Sequence, residues 1–211
     1  FQRDFDTPTV NEILNYPDQA IDRGKLLKSG NSATVALIES DMGPLVIKRY
    51  NIKGYGHLLM RMFRKSRAWT SWANTFRLEF LGINTLKPVA MIEERVGPLR
   101  RHAYFITQYV EGDDATTLIE RKNAEAGAEV ISIAKIINGM KAAGVSHGDL
   151  KASNFLLTER GAVIIDLDSM EEHSKIRMRR KAQGRDIERF LRNWSSVPSL
   201  EKRFADLLES S

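Results

Sequence analysis

No cysteine occurs among the 211 residues, which excludes disulfides and thiolate metal sites but fixes no compartment. No apolar run approaches the ~18 residues that a membrane-spanning helix needs. The best stretch, residues 130–137, is far too short and contains Lys135. Internal repeats and low-complexity segments are also missing, which argues against a solenoid or a linker-rich chain. Phe1 opens the chain in place of Met, which leaves room for residues before it, and no leader is inferred. What is present is a chain 42% hydrophobic and 28% charged, long enough for one large domain or two small lobes sharing a cleft. Its net charge of +5 favours polyanionic partners: a phosphate-bearing substrate, an anionic membrane surface or, on charge alone, nucleic acid.

The first half reads as strands. Residues 25–27, 34–38 and 45–50 are β-branched or apolar runs, the last two joined by a turn at Asp41, Met42, Gly43 and Pro44. Residues 57–81 carry Leu58, Leu59, Met62, Phe63, Trp69, Trp72, Phe76 and Phe80 at helical spacing, and Gly82 offers the stop. Two more strands, 88–93 and 103–109, are joined through Val96, Gly97 and Pro98. The polar break Glu111-Gly112-Asp113-Asp114 marks a boundary near residue 110, dividing the chain into 1–110 and 111–211. Beyond it lie an amphipathic helix at 129–143, short strands at 155–157 and 162–165, and helices at 186–194 and 199–208. This order predicts an α+β fold with a sheet-rich first half, a helical second half and a cleft at the join.

His147-Gly148-Asp149-Leu150-Lys151-Ala152-Ser153-Asn154 carries an acid, a lysine two residues on and an asparagine five residues on. Asp166 then ends the apolar run Val163-Ile164-Ile165. Phosphoryl transfer needs such a set: a carboxylate for the attacking hydroxyl, a cation on the transferring phosphate, and two oxygen ligands for magnesium. The intervals are close to those of the protein-kinase catalytic loop and its metal-binding Asp, with HGD in place of HRD and Asp166-Leu167-Asp168 in place of DFG. Asp149 then accepts or orients the hydroxyl proton, Lys151 neutralises the γ-phosphate, and Asn154 with Asp166 holds Mg2+. His147 reads as a residue that packs the loop, because the carboxylate beside it is better suited as base.

Upstream, Lys48 closes the run Leu45-Val46-Ile47 and can reach the α- and β-phosphates of ATP from a strand, although a lysine ending a strand is more often a solvated edge residue. Gly30 and Ser32, in Lys28-Ser29-Gly30-Asn31-Ser32-Ala33-Thr34-Val35, let backbone amides approach phosphate, though most such segments are plain hairpin turns. The strand leaving the first half offers backbone groups around Gln108 and Val110 to adenine. Asp186, at the head of the helix expected over 186–194, has two readings: a carboxylate favoured by the helix dipole, or a buried brace for the catalytic loop.

Together these residues resemble the protein-kinase superfamily, and within it the lipopolysaccharide core kinases, which phosphorylate heptose or Kdo. The resemblance also takes in Ser66-Arg67-Ala68-Trp69, Gly82-Ile83-Asn84-Thr85 with Pro88-Val89-Ala90, and Arg185-Asp186-Ile187-Glu188-Arg189. It implies a bilobal protein-kinase-like fold with a β-rich N-lobe and a reduced helical C-lobe. It further implies ATP and Mg2+ as cofactors, a sugar acceptor on lipopolysaccharide core or a lipid-linked sugar, and no nucleic acid partner. ATP chemistry points to the cytoplasm, with a peripheral place on the inner membrane as one option. No Ala-Pro-Glu segment or long activation region follows Asp166, which suits a small-molecule or lipid acceptor. The glutamate that should pair with Lys48 is not evident: Glu79 lies late in its helix, and either the pair is missing or Asn74 stands in. The basic segments 57–69 and 175–185 suit membrane docking or a phosphate-rich acceptor as well as a solvated face. Rival readings are aminoglycoside, choline or small atypical protein kinases, which share the HGD form, and a nucleotide-binding pseudokinase scaffold.

Overall fold

The computed structural model describes residues 1–51, 65–97, 99–121 and 127–209. The chain folds as two compact units, Phe1–Phe76 with Leu86–Tyr109, and Arg77–Thr85 with Val110–Ser211.

The first unit is built on a five-stranded antiparallel sheet of β1 (Lys25–Ser29), β2 (Ala33–Ile38), β3 (Leu45–Tyr50), β4 (Pro88–Val96) and β5 (Leu99–Gln108). Its strand order is β1-β2-β3-β5-β4, so β3 is central. Period-2 alternation sorts the residues of β3 into two faces. Leu45 and Ile47 join Ala36, Ile38, Tyr104 and Ile106 in one core, while Tyr50 packs with Ala103 and Phe105 on the other side. The hairpin of β4 and β5 is longer than the expected 88–93 and 103–109. Beyond Glu93 opposite Ala103 its rungs are mixed, Arg95 opposite Arg100 and then Val96 opposite Leu99, so no apolar alternation announces them.

Two helices that the apolar pattern does not announce, α1 (Pro8–Asn15) and α2 (Pro17–Arg23), cover the Leu45/Ile47 face. Thr7 caps α1 by accepting the Val10 N–H, and each helix opens on proline, whose fixed φ suits the first turn. Only Phe5, Val10, Ile13, Ala20 and Ile21 from this region reach the core, too few for a legible period.

The opposite face packs against α3 (Arg67–Phe80) through Ala68 and Trp72, with Trp72 edge-on to Phe76 and Phe105. The expected helix over 57–81 is thus observed from Arg67. Residues 57–64 of the basic segment, including Arg61 and Arg64, lie outside the described residues. Gly82 stops α3 at φ +68°. The Gly82 N–H donates to Glu79 O and the Ile83 N–H to Leu78 O, the paired bonds of a Schellman cap. Leu78 and Ile83 belong to the second unit's core, and Thr85 Oγ1 donates to Ile164 O. The end of α3 therefore goes with the second unit.

That unit has α4 (Thr117–Arg121), α5 (Gly127–Ala142), α6 (Ile176–Leu191) and α7 (Pro198–Glu209), together with β6 (Asp113–Asp114), β7 (Val145–Ser146), β8 (Phe155–Thr158), β9 (Gly161–Ile164) and β10 (Glu171–Glu172). The small sheets run β6-β8-β9 and β10-β7. Helix α5 buries Val130, Ile133, Ala134, Ile137 and Met140, as its period predicts, and Ile136 besides. Phe190, Trp194 and Phe204 form a ring cluster at centroid distances of 4.9–5.6 Å, joining α6 to α7. Helix α6 corrects the expected start at Asp186: it begins at Ile176, and Asp186 sits in its interior, 6% exposed. Its first two turns are basic, so no apolar stripe reveals them.

Candidate active site

In the second unit the loop of residues 147–154 runs from β7 to β8, with a single 3-10 turn at Ala152–Asn154. Its first constraint is Gly148. The backbone there is at φ +80°, and an added Cβ would stand 2.4 Å from Ser169 O. Any L-residue meets both the left-handed penalty and backbone contact. The HGD form of the loop, in place of HRD, follows from this crowding.

Helix α6 and the turn after it then fasten the loop at three points one helical stripe apart. Asp186 accepts the His147 N–H at 2.6 Å and the Gly148 N–H at 3.1 Å. Arg189 Nη1 donates at 2.9 Å to both Gly148 O and Asp149 Oδ1. Asn193 Oδ1 accepts the Ala152 N–H at 3.4 Å. Spacings of three and four residues put these side chains on one face. Of the two readings for Asp186, the buried brace is the one observed.

Asp149 is thereby the centre of the arrangement. Lys151 Nζ stands 2.9 Å from its other oxygen, Oδ2, so a cation faces each carboxylate oxygen. Asn154 donates from Nδ2 to Asp149 O at 2.9 Å, which orients the amide and leaves Oδ1 as its acceptor. His147 is 1% exposed. Its Nδ1 accepts the Asp149 N–H and its Nε2 approaches Ile165 O at 3.0 Å, so the ring carries its proton on Nε2 and packs the loop. The Ile165 N–H returns to Asn154 O at 2.9 Å, tying the loop to the residue before Asp166. Asp166 itself is in the left-handed region (φ 63°), which among the described residues no other non-glycine adopts. Asp is among the few side chains that take this conformation at modest cost, and here it follows directly on the residue tied to Asn154.

The structure therefore brings Asp149, Lys151 and Asn154 together, with Asp166 one residue from their network. Lys48, Gly30, Ser32 and Gln108 fall in the first unit, and Val110 begins the last segment of the second. Lys48 is half-buried on the central strand, opposite Val35 and Phe105, with its amine 5.0 Å from the Tyr50 ring; it is no edge lysine. Lys48 shares the α3 face of the sheet with Tyr50. On α3, Asn74 is buried and Glu79 exposed. Gly30 and Ser32 form the β1–β2 turn. Asn51 secures it, with Nδ2 donating to Gly30 O at 2.8 Å and its N–H to Ser32 O at 3.2 Å. Among the described residues a Cβ on Gly30 would meet only Ala33 O, at 3.7 Å. The Gln108 N–H is committed to Lys87 O at 3.0 Å.

The contacts of two residues in these networks escape a reading of the sequence alone. For Arg189 the available signal is its distance of three residues from Asp186, which puts both on one side of a helix. Asn51 gives no signal, because its contacts depend on the turn geometry. A separate polar group in the first unit, Asp18, Glu94 and His102, brings ligand atoms within 4.8 Å of one another. There Arg49 pairs with Asp18 at 2.7 Å and Tyr104 OH donates to Glu94 at 3.0 Å, so those charges are met within the protein.

A β-sheet unit leading into a helical unit with an HGD loop, its Lys and Asn, and a braced Asp defines a protein-kinase-like phosphotransferase. The lipopolysaccharide kinase (Kdo/WaaP) family model matches residues 23–210, and the chain belongs to that family. Among solved structures the chain is similar to one described as WaaP in complex with acyl carrier protein, with a TM-score of 0.67 and 17% identity over 96% of this chain and 86% of that one. At that identity the likeness carries the fold. No curated protein sequence matches the chain.

Proposed function

We propose that the protein transfers the γ-phosphate of ATP to a sugar hydroxyl of the lipopolysaccharide inner core, on heptose or Kdo, at the cytoplasmic face of the inner membrane. The carrying observation is the Asp149 carboxylate, its Oδ1 held by Arg189 and its Oδ2 by Lys151, on a loop whose backbone donates to Asp186. A carboxylate fixed in this way has a defined direction in which to receive a hydroxyl proton. In the step, the bond between the γ-phosphorus and the β,γ-bridging oxygen breaks and a bond from phosphorus to the acceptor oxygen forms. ADP leaves, and the hydroxyl proton goes to Asp149. Lys151 exchanges its contact with Asp149 Oδ2 for the γ-phosphate, which frees that oxygen for the acceptor. Arg189 keeps Oδ1 in place meanwhile.

Asn154 Oδ1 and the Asp166 carboxylate are hard oxygen donors of the kind magnesium takes, and both belong to the loop network or border it. Bound there, the ion would neutralise charge on the phosphates. Lys48 serves the α- and β-phosphates, the Gly30–Ser32 turn their oxygens, and Gln108 and Val110 the adenine. Among the described residues no packing contact demands glycine at position 30, and close approach of phosphate to that turn supplies a reason.

The test is incubation of purified core oligosaccharide with enzyme and Mg-ATP, followed by mass spectrometry. A mass gain of one phosphate is expected with the parent protein. Asp149→Ala should lower the rate by ~10²–10⁴-fold and spare nucleotide binding. Parental turnover by that variant refutes the assignment, and turnover on aminoglycoside or choline but not on core moves the protein to another kinase class.

A further inference from the structure

Helix α6 does more than brace the loop. Arg177, Lys181, Arg185 and Arg189 recur at intervals of four along it, a row of cations on its exposed side that ends on the side chain bound to Asp149. At 1.5 Å per residue the rungs are ~6 Å apart and the row is roughly 18 Å long. Residues 175–185 contain six cations and no acid, and the only acid on that side of the helix is Glu188. Among the described residues, no ion pair involves Arg177, Lys181 or Arg185, and all three are exposed.

As helix design this is unfavourable. Like charges four residues apart repel, and cations in the first turns oppose the helix dipole. No acid stands in the first turn and no side chain caps the helix at Lys175. A solvated helix face would ordinarily mix signs. This one keeps a single sign from Lys175 to Arg185, and the next cation of the row, Arg189, is the one bound to Asp149.

We infer that the row Arg177, Lys181 and Arg185 is the docking surface for the acceptor's own anionic groups. These are phosphates or carboxylates on sugars neighbouring the one whose hydroxyl meets Asp149. The inference rests on the kinase reading of Asp149 and adds to it a specificity: the enzyme selects an acceptor that is already polyanionic. The occupant is the acceptor rather than the bilayer because the row terminates at the reacting group. Each rung then stands at a set distance from the hydroxyl, whereas a lipid surface would need no such register.

The experiment compares the parent with the triple variant R177Q/K181Q/R185Q on two soluble acceptors. One is intact core oligosaccharide, the other the same material after phosphate removal and carboxyl reduction. The parent should prefer the intact acceptor, and its KM for it should climb with salt. In the variant, KM for intact acceptor should rise roughly 10- to 100-fold, the combined effect of three exposed charge contacts. The salt dependence should flatten and the preference over stripped acceptor should collapse, while KM for ATP holds. Because repulsion is relieved, the variant should melt no lower than the parent, which separates lost docking from lost folding.

An unchanged KM for intact acceptor, or an equal rise on stripped acceptor, overturns the inference. So does an effect confined to acceptor embedded in phosphatidylglycerol vesicles, which would make the bilayer the occupant. If the parent turns over no core acceptor, the kinase reading fails. The row is then still read by direct binding of fluorescently labelled intact core, which the variant should bind more weakly than the parent.

Discussion

Asp186→Ala tests whether α6 holds the loop of residues 147–154 in the shape that the proposed chemistry needs. The carboxylate accepts two backbone N–H groups, from His147 at 2.6 Å and Gly148 at 3.1 Å, and is 6% exposed. His147 is buried, so its N–H loses a charged acceptor with no water to replace it, a cost of ~2–3 kcal/mol. Gly148 is exposed, and water can repair much of its loss, leaving ~0.5–1 kcal/mol. The sum is about 2.5–4 kcal/mol for alanine. Asp186→Asn keeps one carbonyl for His147 but turns an NH2 group toward the Gly148 donor, so it should cost ~2 kcal/mol. Urea unfolding followed by circular dichroism, at constant m, measures both differences. The same contacts fix Asp149 through the adjacent residues, so kcat should fall further in the alanine variant than in the asparagine variant, with KM for ATP less affected. A stability loss under ~1 kcal/mol or parental turnover for Asp186→Ala would show that the loop finds its shape without the helix, and the brace argument would be wrong.

Gly148→Ala should cost at least ~2 kcal/mol, combining a left-handed conformation with a Cβ placed 2.4 Å from Ser169 O, and should reduce kcat through its neighbour Asp149; a variant with parental stability and rate would sink that account. Asp166→Asn isolates charge from backbone, because Asn tolerates φ +63° as well as Asp does. Its melting temperature should stay near parental while magnesium titrations of nucleotide binding shift to higher metal, and metal-independent binding in both proteins would count against Asp166 as a ligand. In the first unit, burial raises the Asp18 carboxyl, but the hydrogen bond and charge of the Arg49 guanidinium outweigh it and hold the group below the usual carboxylate range. A folded pKa below the unfolded one means stability present above about pH 4 and lost as pH falls through the folded value. Arg49→Gln should therefore flatten the acid limb of the stability curve, and an identical limb in both proteins would refute the pairing.

What the sequence discloses divides along physical lines. Residues 147–154 and Asp166 are legible because their chemistry is local: intervals of two, five and twelve residues survive whatever the chain does elsewhere. The hairpin of β2 and β3 is legible for the same reason, since alternation and a glycine turn are short-range signals. The first 24 residues are not, because α1 and α2 contribute few buried side chains and owe their ends to Thr7 and two prolines. The task of Arg189 stays hidden too, since its contact with Asp149 spans 40 residues of sequence.

Helix α6 shows why the loss of a pattern is itself informative. Ala182, Asp186 and Phe190, spaced by four, are its buried residues, and Trp194 continues the stripe in the turn beyond. An apolar side chain at 186 would have made the period complete and the helix easy to place from the sequence. It would also have left the His147 N–H without its acceptor. The acid that interrupts the hydrophobic stripe is the one that holds the loop of residues 147–154, and the cations that disguise the helix start lie on the face that ends at Asp149. Local helix rules are broken on two sides of the same element, inward at Asp186 and outward along Arg177, Lys181 and Arg185. Natural sequences break such rules where function demands it. A helix that is poorly encoded as a helix, next to a loop that is plainly encoded as chemistry, is therefore where the acceptor's handling is to be sought.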